Sequence, residues 1–420
     1  MMSTVLPYLT PKRNNPVLKH EEMEELSGIT MTRLSCSVHD DRYIVMSKDN
    51  HMEANRLTVE LLEALQKAAT EDEGIDTFMK EHHGEGFTAQ QIKRLLAEKI
   101  MPRLMKTGKR KKPFLYQRQL LNQEQIDAFS DRLSPLFNKY LMCGVFVSTV
   151  VLDTFFFSST ENLLEFANTT NAFTIVALLV FIVASSLFHE LGHAAACKRF
   201  GVEHGGIGFG LYINFPVLYT DVTNVWRLPR RKRLVVNIAG VYFQCIILIV
   251  LFAGFLATGN DLLRYMILTM NFGFLLTLNP FFRFDGYWIA TDMLGVPNLR
   301  KRSTELLKYL FSRMTGKPAA DKPYLLQIRR REQMLGILYA LTVNIFMGFY
   351  FFYVIPVFLY DFIGSFPQEV EQLVLCMANN ITPPFALLRN MFSQSLFFAL
   401  IIFMMYRMLL PFVRKRMNKE

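Results

Sequence analysis

Two hydrophobic patterns meet near residue 106. Ahead of it, apolar positions recur singly at strand and helix periods among polar residues; beyond it they fuse into long runs separated by clusters of Lys and Arg. In the first part, Met31 to Ser37 and Arg42 to Ser47 predict two strands. Leu57, Leu61, Leu62 and Leu65 mark one helical face, Ile75, Phe78 and Met79 a short second one, and Ile92, Leu95, Leu96 and Ile100 a third. Together these elements predict a winged-helix-like α+β module over 21–105, behind a polar, proline-bearing tail over 1–20 that reads as disordered. Met1 to Asn15 lacks the apolar stretch of a signal peptide, so the chain is expected to start in the cytoplasm.

The second part predicts a polytopic α-helical membrane protein. Six apolar runs, near 136–157, 172–194, 234–257, 263–282, 335–360 and 392–412, approach or exceed the roughly 20 residues that a span requires. Basic residues mark alternate connections. Lys106, Lys109, Arg110, Lys111 and Lys112 precede the first run, Lys198, Arg199 and Arg230 to Arg233 follow the second, Arg300, Lys301, Arg302 and Arg329 to Arg331 follow the fourth, and Arg414 to Arg416 close the chain. The other connections carry Glu161, Glu165, Asp261, Asp361, Glu369 and Glu371, with Arg264 and Arg389 as cations. Cytoplasmic loops are the ones enriched in Lys and Arg, so both termini are expected on the cytoplasmic face of the cytoplasmic (inner) membrane. The layout that follows is a basic linker and juxtamembrane helix over 106–135, a transmembrane core over 136–295, a basic cytoplasmic loop over 296–333, and two further transmembrane helices with a basic tail over 334–420.

Composition agrees with a bilayer. Hydrophobic residues make up 51% of the chain, with 38 Phe and 22 Met, too apolar for an ordinary soluble protein of 420 residues. The net charge of +10 would suggest nucleic acid in a soluble protein, but here the cations flank apolar runs, where lipid headgroups are their partners, and no nucleic-acid partner is expected. Cys36, Cys143, Cys197, Cys245 and Cys376 have no paired spacing and imply no disulfide framework. Cys197, one turn beyond His193, reads as a small packed hydrophobe, and His82 and His83 as surface residues.

Chemistry enters with His189-Glu190-Leu191-Gly192-His193 at the cytoplasmic end of the second run. In a helix the two histidines lie one above the other, spaced to grip one zinc ion, with Glu190 beside them to reach an attacking water. Ionisable groups at that depth are costly without a partner. A third ligand is available after the fourth run, in Asn279-Pro280-Phe281-Phe282-Arg283-Phe284-Asp285-Gly286. Pro280 should break the helix near Asn279, and the parallel direction of the second and fourth runs brings Asp285 to the depth of the histidines. Two imidazoles and a carboxylate leave a fourth tetrahedral position open.

These residues resemble the site-2 proteases, intramembrane zinc metalloproteases with HExxH on one span and Asn-Pro…Asp-Gly on a later one. The likeness covers roughly 172–295, and the stretch from Gly208 through Asp221 and Trp226 to Arg231 looks like a bacterial peptide zinc metalloprotease subgroup. The resemblance implies His189, His193 and Asp285 as ligands and Glu190 as the catalytic acid and base; Gly208, Gly210, Asn279 and Gln244 are candidate substrate contacts. The third run departs from the family: Ala239-Gly240-Val241-Tyr242-Phe243-Gln244 stands where relatives carry Ala-Gly-Pro and then Asn. The Gly-punctuated segment Gly205 to Thr220 predicts a hairpin or re-entrant sheet, serving either as an edge for an extended substrate or as a covering loop. No connection is long enough for a PDZ domain. The N-terminal module resembles the leader-peptide-binding chaperones of pyrroloquinoline quinone biosynthesis, while Glu21, Glu22, Glu24 and Glu25 argue against DNA as its ligand.

The reading that results is a zinc endopeptidase of the membrane acting on a membrane-associated or ribosomally made precursor peptide. It would have the bilayer around it and an ABC exporter or modification enzyme as possible company. Two alternatives stay open: a regulatory site-2 protease cutting a membrane-tethered transcription regulator or anti-sigma factor, and a non-proteolytic subunit of a peptide modification or export assembly.

Overall fold

The computed structural model describes residues 26–34, 42–47, 50–83, 86, 88–104, 114, 116–160, 172–212, 215–316 and 322–417. The tail over 1–20, the end of the first strand at 35–37 with Cys36, the basic run 106–112 and the connection with Glu161 and Glu165 lie outside these residues.

The N-terminal part forms an antiparallel sheet of β1 (Thr30–Leu34), β2 (Arg42–Ser47) and β3 (Asn50–Asn55), in that order. Three helical elements follow: α1 (Arg56–Lys67), α2 (Glu71–Glu81) and α3 (Ala89–Leu95), the last continued by a π-helical turn (Leu96–Ile100) and Met101–Leu104. Their starts are set by side chains: Asn55 accepts from Thr58 N, Thr70 accepts from Glu73 N, and Thr88 with Gln91 makes a reciprocal capping box. Val45, Ala54, Leu61, Leu62, Leu65, Ile75, Phe78 and Leu96 share one core. Strand β3 is an addition to the two strands expected; its Asn-His-Met-Glu-Ala-Asn sequence is too polar to announce itself, although Met52 and Ala54 do alternate inward. The same period of two turns Ile44 and Met46 of β2 to the opposite face, where they are buried against Trp226.

A second three-stranded antiparallel sheet is ordered β4 (Tyr116–Leu121), β5 (Ile207–Tyr212), β6 (Phe215–Thr220). The expected hairpin is β5 and β6; the third strand comes from what the sequence presented as linker. Gly206, just ahead of β5, makes this pairing possible, since a Cβ there would overlap the Leu121 carbonyl oxygen and lie 2.5 Å from Gln119 Nε2. Helix α4 (Gln123–Leu133) follows β4 directly, with Ile126 packed among Ala194, Ile207, Leu187 and Leu191. Asp127 of α4 is 3.1 Å from Lys198 and 3.2 Å from the fully buried His204, so α4 is fastened to the end of the helix that carries His189.

Among the described residues five helices are long and apolar enough to cross a membrane. They lie in α5 (Lys139–Ser159), α6 (Ala172–Arg199), α7 (Arg230–Thr258), a continuous helix over 330–378, and the C-terminal helix described below. The run expected near 263–282 forms α8 (Asp261–Thr277), whose 17 residues rise only about 25 Å. It stops at Leu278, and α9 (Asp285–Leu294) begins after the turn at 279–284, as the proline requires. Helix α10 (Leu299–Met314) and a short loop around Tyr324 then lead into α11 (Arg330–Phe349), a π-helical turn (Tyr350–Val354) and α12 (Ile355–Ala378). The sequence placed a loop from 361; instead the helix continues to Ala378 and packs on α13 (Phe385–Met417). Phe358 meets Phe397 at 4.3 Å and Phe362 stacks on Phe398 at 4.4 Å, while Gln394 donates to Glu369. An acidic residue that suggested a loop is thus accommodated within a helical hairpin.

Gly206→Ala is expected to cost about 1–3 kcal/mol, since a backbone carbonyl cannot swing aside as a side chain can. Thermal unfolding would read the loss, and amide exchange over 116–121 should quicken; unchanged exchange there would show that β4 tolerates the displacement.

Candidate functional site

Helices α6 and α7 meet almost backbone to backbone. A Cβ on Gly192 would lie 2.6 Å from the Ala239 carbonyl oxygen, and one on Gly240 would overlap the His189 imidazole. This approach turns one face of α7, bearing Arg233, Val236, Asn237, Gly240 and Gln244, toward the two histidines and Asp292. His189 Nδ1 is 3.0 Å from Gln244 Oε1, and Gln244 Nε2 donates to Ser185 Oγ at 3.0 Å. His193 Nδ1 is 2.7 Å from the Val236 carbonyl oxygen. With an oxygen acceptor at each Nδ1, both rings hold their proton there and present the Nε2 lone pair inward.

The carboxylate comes from the first residue of α9. Asp285 Oδ2 is 2.9 Å from His189 Nε2 and 3.3 Å from His193 Nε2, and the two Nε2 atoms are 3.2 Å apart. Among the described residues this is the group of His, Cys, Asp and Glu side chains arranged to hold a metal ion. A tetrahedral zinc site with bonds of about 2.0–2.1 Å has ligand-to-ligand edges of about 3.3 Å, so this donor set fits zinc in type and spacing. Glu190 is buried next to the cluster but outside it, and its main-chain carbonyl accepts from Thr220 Oγ1 at 3.2 Å, tying β6 to the His189 turn.

Helix α9 is held at its other end by a second contact with the same face of α7. Arg233 Nε and Nη2 lie 2.7 and 2.6 Å from Asp292 Oδ1, and Asn237 donates to Oδ2 at 2.7 Å. Arg230 donates to the carbonyls of Asp292 and Met293. The pair is enclosed, with Arg233 and Asp292 side chains 3% and 6% exposed, and burial pushes the Asp292 carboxyl up against the pull of Arg233. Gly286 lets α9 start tight against the end of α8, where a Cβ would overlap the Leu278 carbonyl.

The other residues singled out in the sequence sit in contacts within the chain. Gly208 is faced by the Tyr219 ring, 2.5 Å from where its Cβ would be, and Gly210 by the Phe114 ring at 2.8 Å. Asn279 Oδ1 accepts from Phe281 N at 2.8 Å and shapes the turn ahead of Asp285. Gln244 grips His189, as above. Arg233, Val236, Asn237, Asp292 and Ser185 were not anticipated. Arg233 was absorbed into a basic cluster that reads as a headgroup anchor, and Val236 acts through a main-chain carbonyl that no side-chain pattern reveals. Asp292 did carry a signal, lying seven residues and two helical turns beyond Asp285 on one face.

A stretch of 131 residues, 31% of this chain, is 23% identical to the “Putative peptide zinc metalloprotease protein YydH” of Bacillus subtilis (strain 168). The chain spans about half the length of that relative, 52% of it. The likeness supports a zinc-metalloprotease-like chain. No family model matches, and no solved structure matches significantly.

Asp292→Ala would leave Arg233 buried without its counter-ion, at a cost of about 3–5 kcal/mol. A drop in unfolding temperature well beyond that of an exposed Asp→Ala control is the expected result; a drop matching the control would mean that the pair contributes nothing net.

Proposed function

We propose that this chain is a zinc-dependent endopeptidase of the site-2 type, embedded in the cytoplasmic membrane with both termini in the cytoplasm. In this reading it crosses the membrane six times, α8 being the short fourth span. The observation that carries the proposal is the convergence of His189, His193 and Asp285, with both Nδ1 atoms already engaged so that three lone pairs face one point. His189, His193 and Asp285 would hold the ion, and Gln244 and the Val236 carbonyl would orient the imidazoles. Zinc bound there supplies a Lewis acid that polarises a peptide carbonyl and makes water acidic enough to attack near neutral pH. Glu190 takes the proton from the attacking water and passes it to the departing amide nitrogen, so that the leaving group departs as an amine.

The substrate in this reading is a membrane-associated or ribosomally made precursor peptide, bound extended along β6. The β5 edge is taken by β4. Pro216 has no N–H, so its pairing with Leu211 is a non-hydrogen-bonded one, and strand alternation then turns the main-chain groups of Leu218 and Thr220 to the outer edge. Thr220 Oγ1 also donates to the Glu190 main-chain carbonyl, a contact that supports a substrate strand lying along that edge near Glu190. The N-terminal module would recruit the precursor, with an exporter or modification enzyme as the expected company.

Metal analysis of the purified chain should find about one zinc per molecule. Asp285→Ala should lower that occupancy, and Gln244→Leu should weaken zinc affinity about 10–100-fold by releasing the His189 ring. Undiminished zinc in Asp285→Ala would remove it from the ligand set. Glu190→Gln should retain zinc while losing cleavage, since an amide cannot take the proton; turnover at the unmodified rate would assign the base elsewhere.

A further inference from the structure

Trp226 lies between the N-terminal module and the helix that carries Asp285. On one side Ile44 and Met46 of β2 pack against it, on the face of the sheet opposite the module's own core. On the other, the Arg233 guanidinium lies over its ring at 4.9 Å, and Trp288 meets it edge-on with centroids 6.4 Å apart. Both partners belong to the seating of α9. Arg233 grips Asp292, and Trp288 stands three residues, about one turn, beyond Asp285.

The module is fastened in this position by more than apolar contact. Glu53 of β3 pairs with Arg302 of α10 at 2.8 Å and with Arg42 of β2 at 3.0 Å. Both guanidiniums lie over the Tyr324 ring, at 4.6 Å for Arg302 and 5.2 Å for Arg42. Thr32 Oγ1 donates to the Arg227 carbonyl at 3.4 Å, beside Trp226 itself. Two separate parts of the chain, one around Trp226 and Arg227 and the other supplying Arg302 and Tyr324, thus meet one face of one small sheet.

Helix α9 needs such support. It has only ten residues, follows an irregular turn at 279–284, and ends at Gly295 with φ 64°, so its placement depends on what packs along its sides. We infer that Trp226 is a positioning residue through which the docked N-terminal module sets the seat of Asp285. The inference rests on the zinc reading above. The module then has a part in assembling the metal site, beyond any part in capturing a peptide: with β2 withdrawn, Trp226 loses its backing and Arg233 and Trp288 lose the surface that fixes them. An error of about 1 Å in a ligand or reacting group is enough to cost some 100-fold in function.

The test uses the full chain and two readouts, zinc release to a chelator and amide exchange over 285–294. Trp226→Ala removes the contact directly, and the pair Ile44→Ala with Met46→Ala removes it from the module side without touching the module's own core. Each is expected to speed zinc release at least about 10-fold, a seat looser by about 1.4 kcal/mol, and to raise exchange over 285–294. Trp226→Phe should fall between these variants and the unmodified chain. A purely structural role would lower the unfolding temperature while leaving release and exchange unchanged, and that result would overturn the inference. Should Trp226→Ala not fold, the double variant decides alone by the same criterion. An unmodified chain that binds no zinc would defeat the proposed function instead, and exchange over 285–294 would then decide this inference by itself.

Discussion

The approach of α6 to α7 is the constraint from which the site follows. Glycine on each side, at 192 and 240, lets the two helices touch where larger residues would hold them apart. That closeness brings the Val236 carbonyl and the Gln244 amide within reach of two imidazoles four residues apart, and it fixes which nitrogen of each ring looks inward. Bulk at Gly240 would act on chemistry as well as on packing, because the overlap there falls on the His189 ring itself, whereas bulk at Gly192 would push on the Ala239 carbonyl.

From the same face of α7, two turns toward its N-terminal end, Arg233 and Asn237 hold α9. The carboxylate and the imidazoles are therefore referenced to one rigid element although they come from helices almost a hundred residues apart. A buried ion pair is a weak source of net stability compared with apolar packing, but it is demanding in geometry. Here that geometric demand falls on the short helix opened by Asp285, where register matters most.

What the sequence made legible was the side-chain chemistry with a recognisable period: the histidines at i and i+4, the helix break at Pro280, and the carboxylate beyond it all lie where spacing placed them, and the structure brings them together. The supporting residues were hidden for physical reasons. Val236 contributes a main-chain atom, Arg233 sits in a run of four cations that any membrane anchor would show, and Gln244 could equally have faced a substrate. Strands β3 and β4 are polar and short, and their pairing depends on partners that sequence period cannot name, Gly206 above all. The helix past residue 361 was missed because Glu369 finds an amide partner on a neighbouring helix that no local pattern indicates.

The placement of β4 has one more consequence. Leu104 ends the N-terminal module, and the chain is held again at Phe114, which packs on Gly210 and Tyr219, so nine residues, 105–113, join the module to the sheet beside Glu190. Such a connection spans at most about 35 Å when fully drawn out. A module that lets go of Trp226 thus remains at a local concentration on the order of millimolar around its own docking surface. Contacts as modest as a pair of apolar side chains and a shared tyrosine face are then sufficient to keep it seated most of the time, and return after release is fast and independent of how much protein the membrane holds.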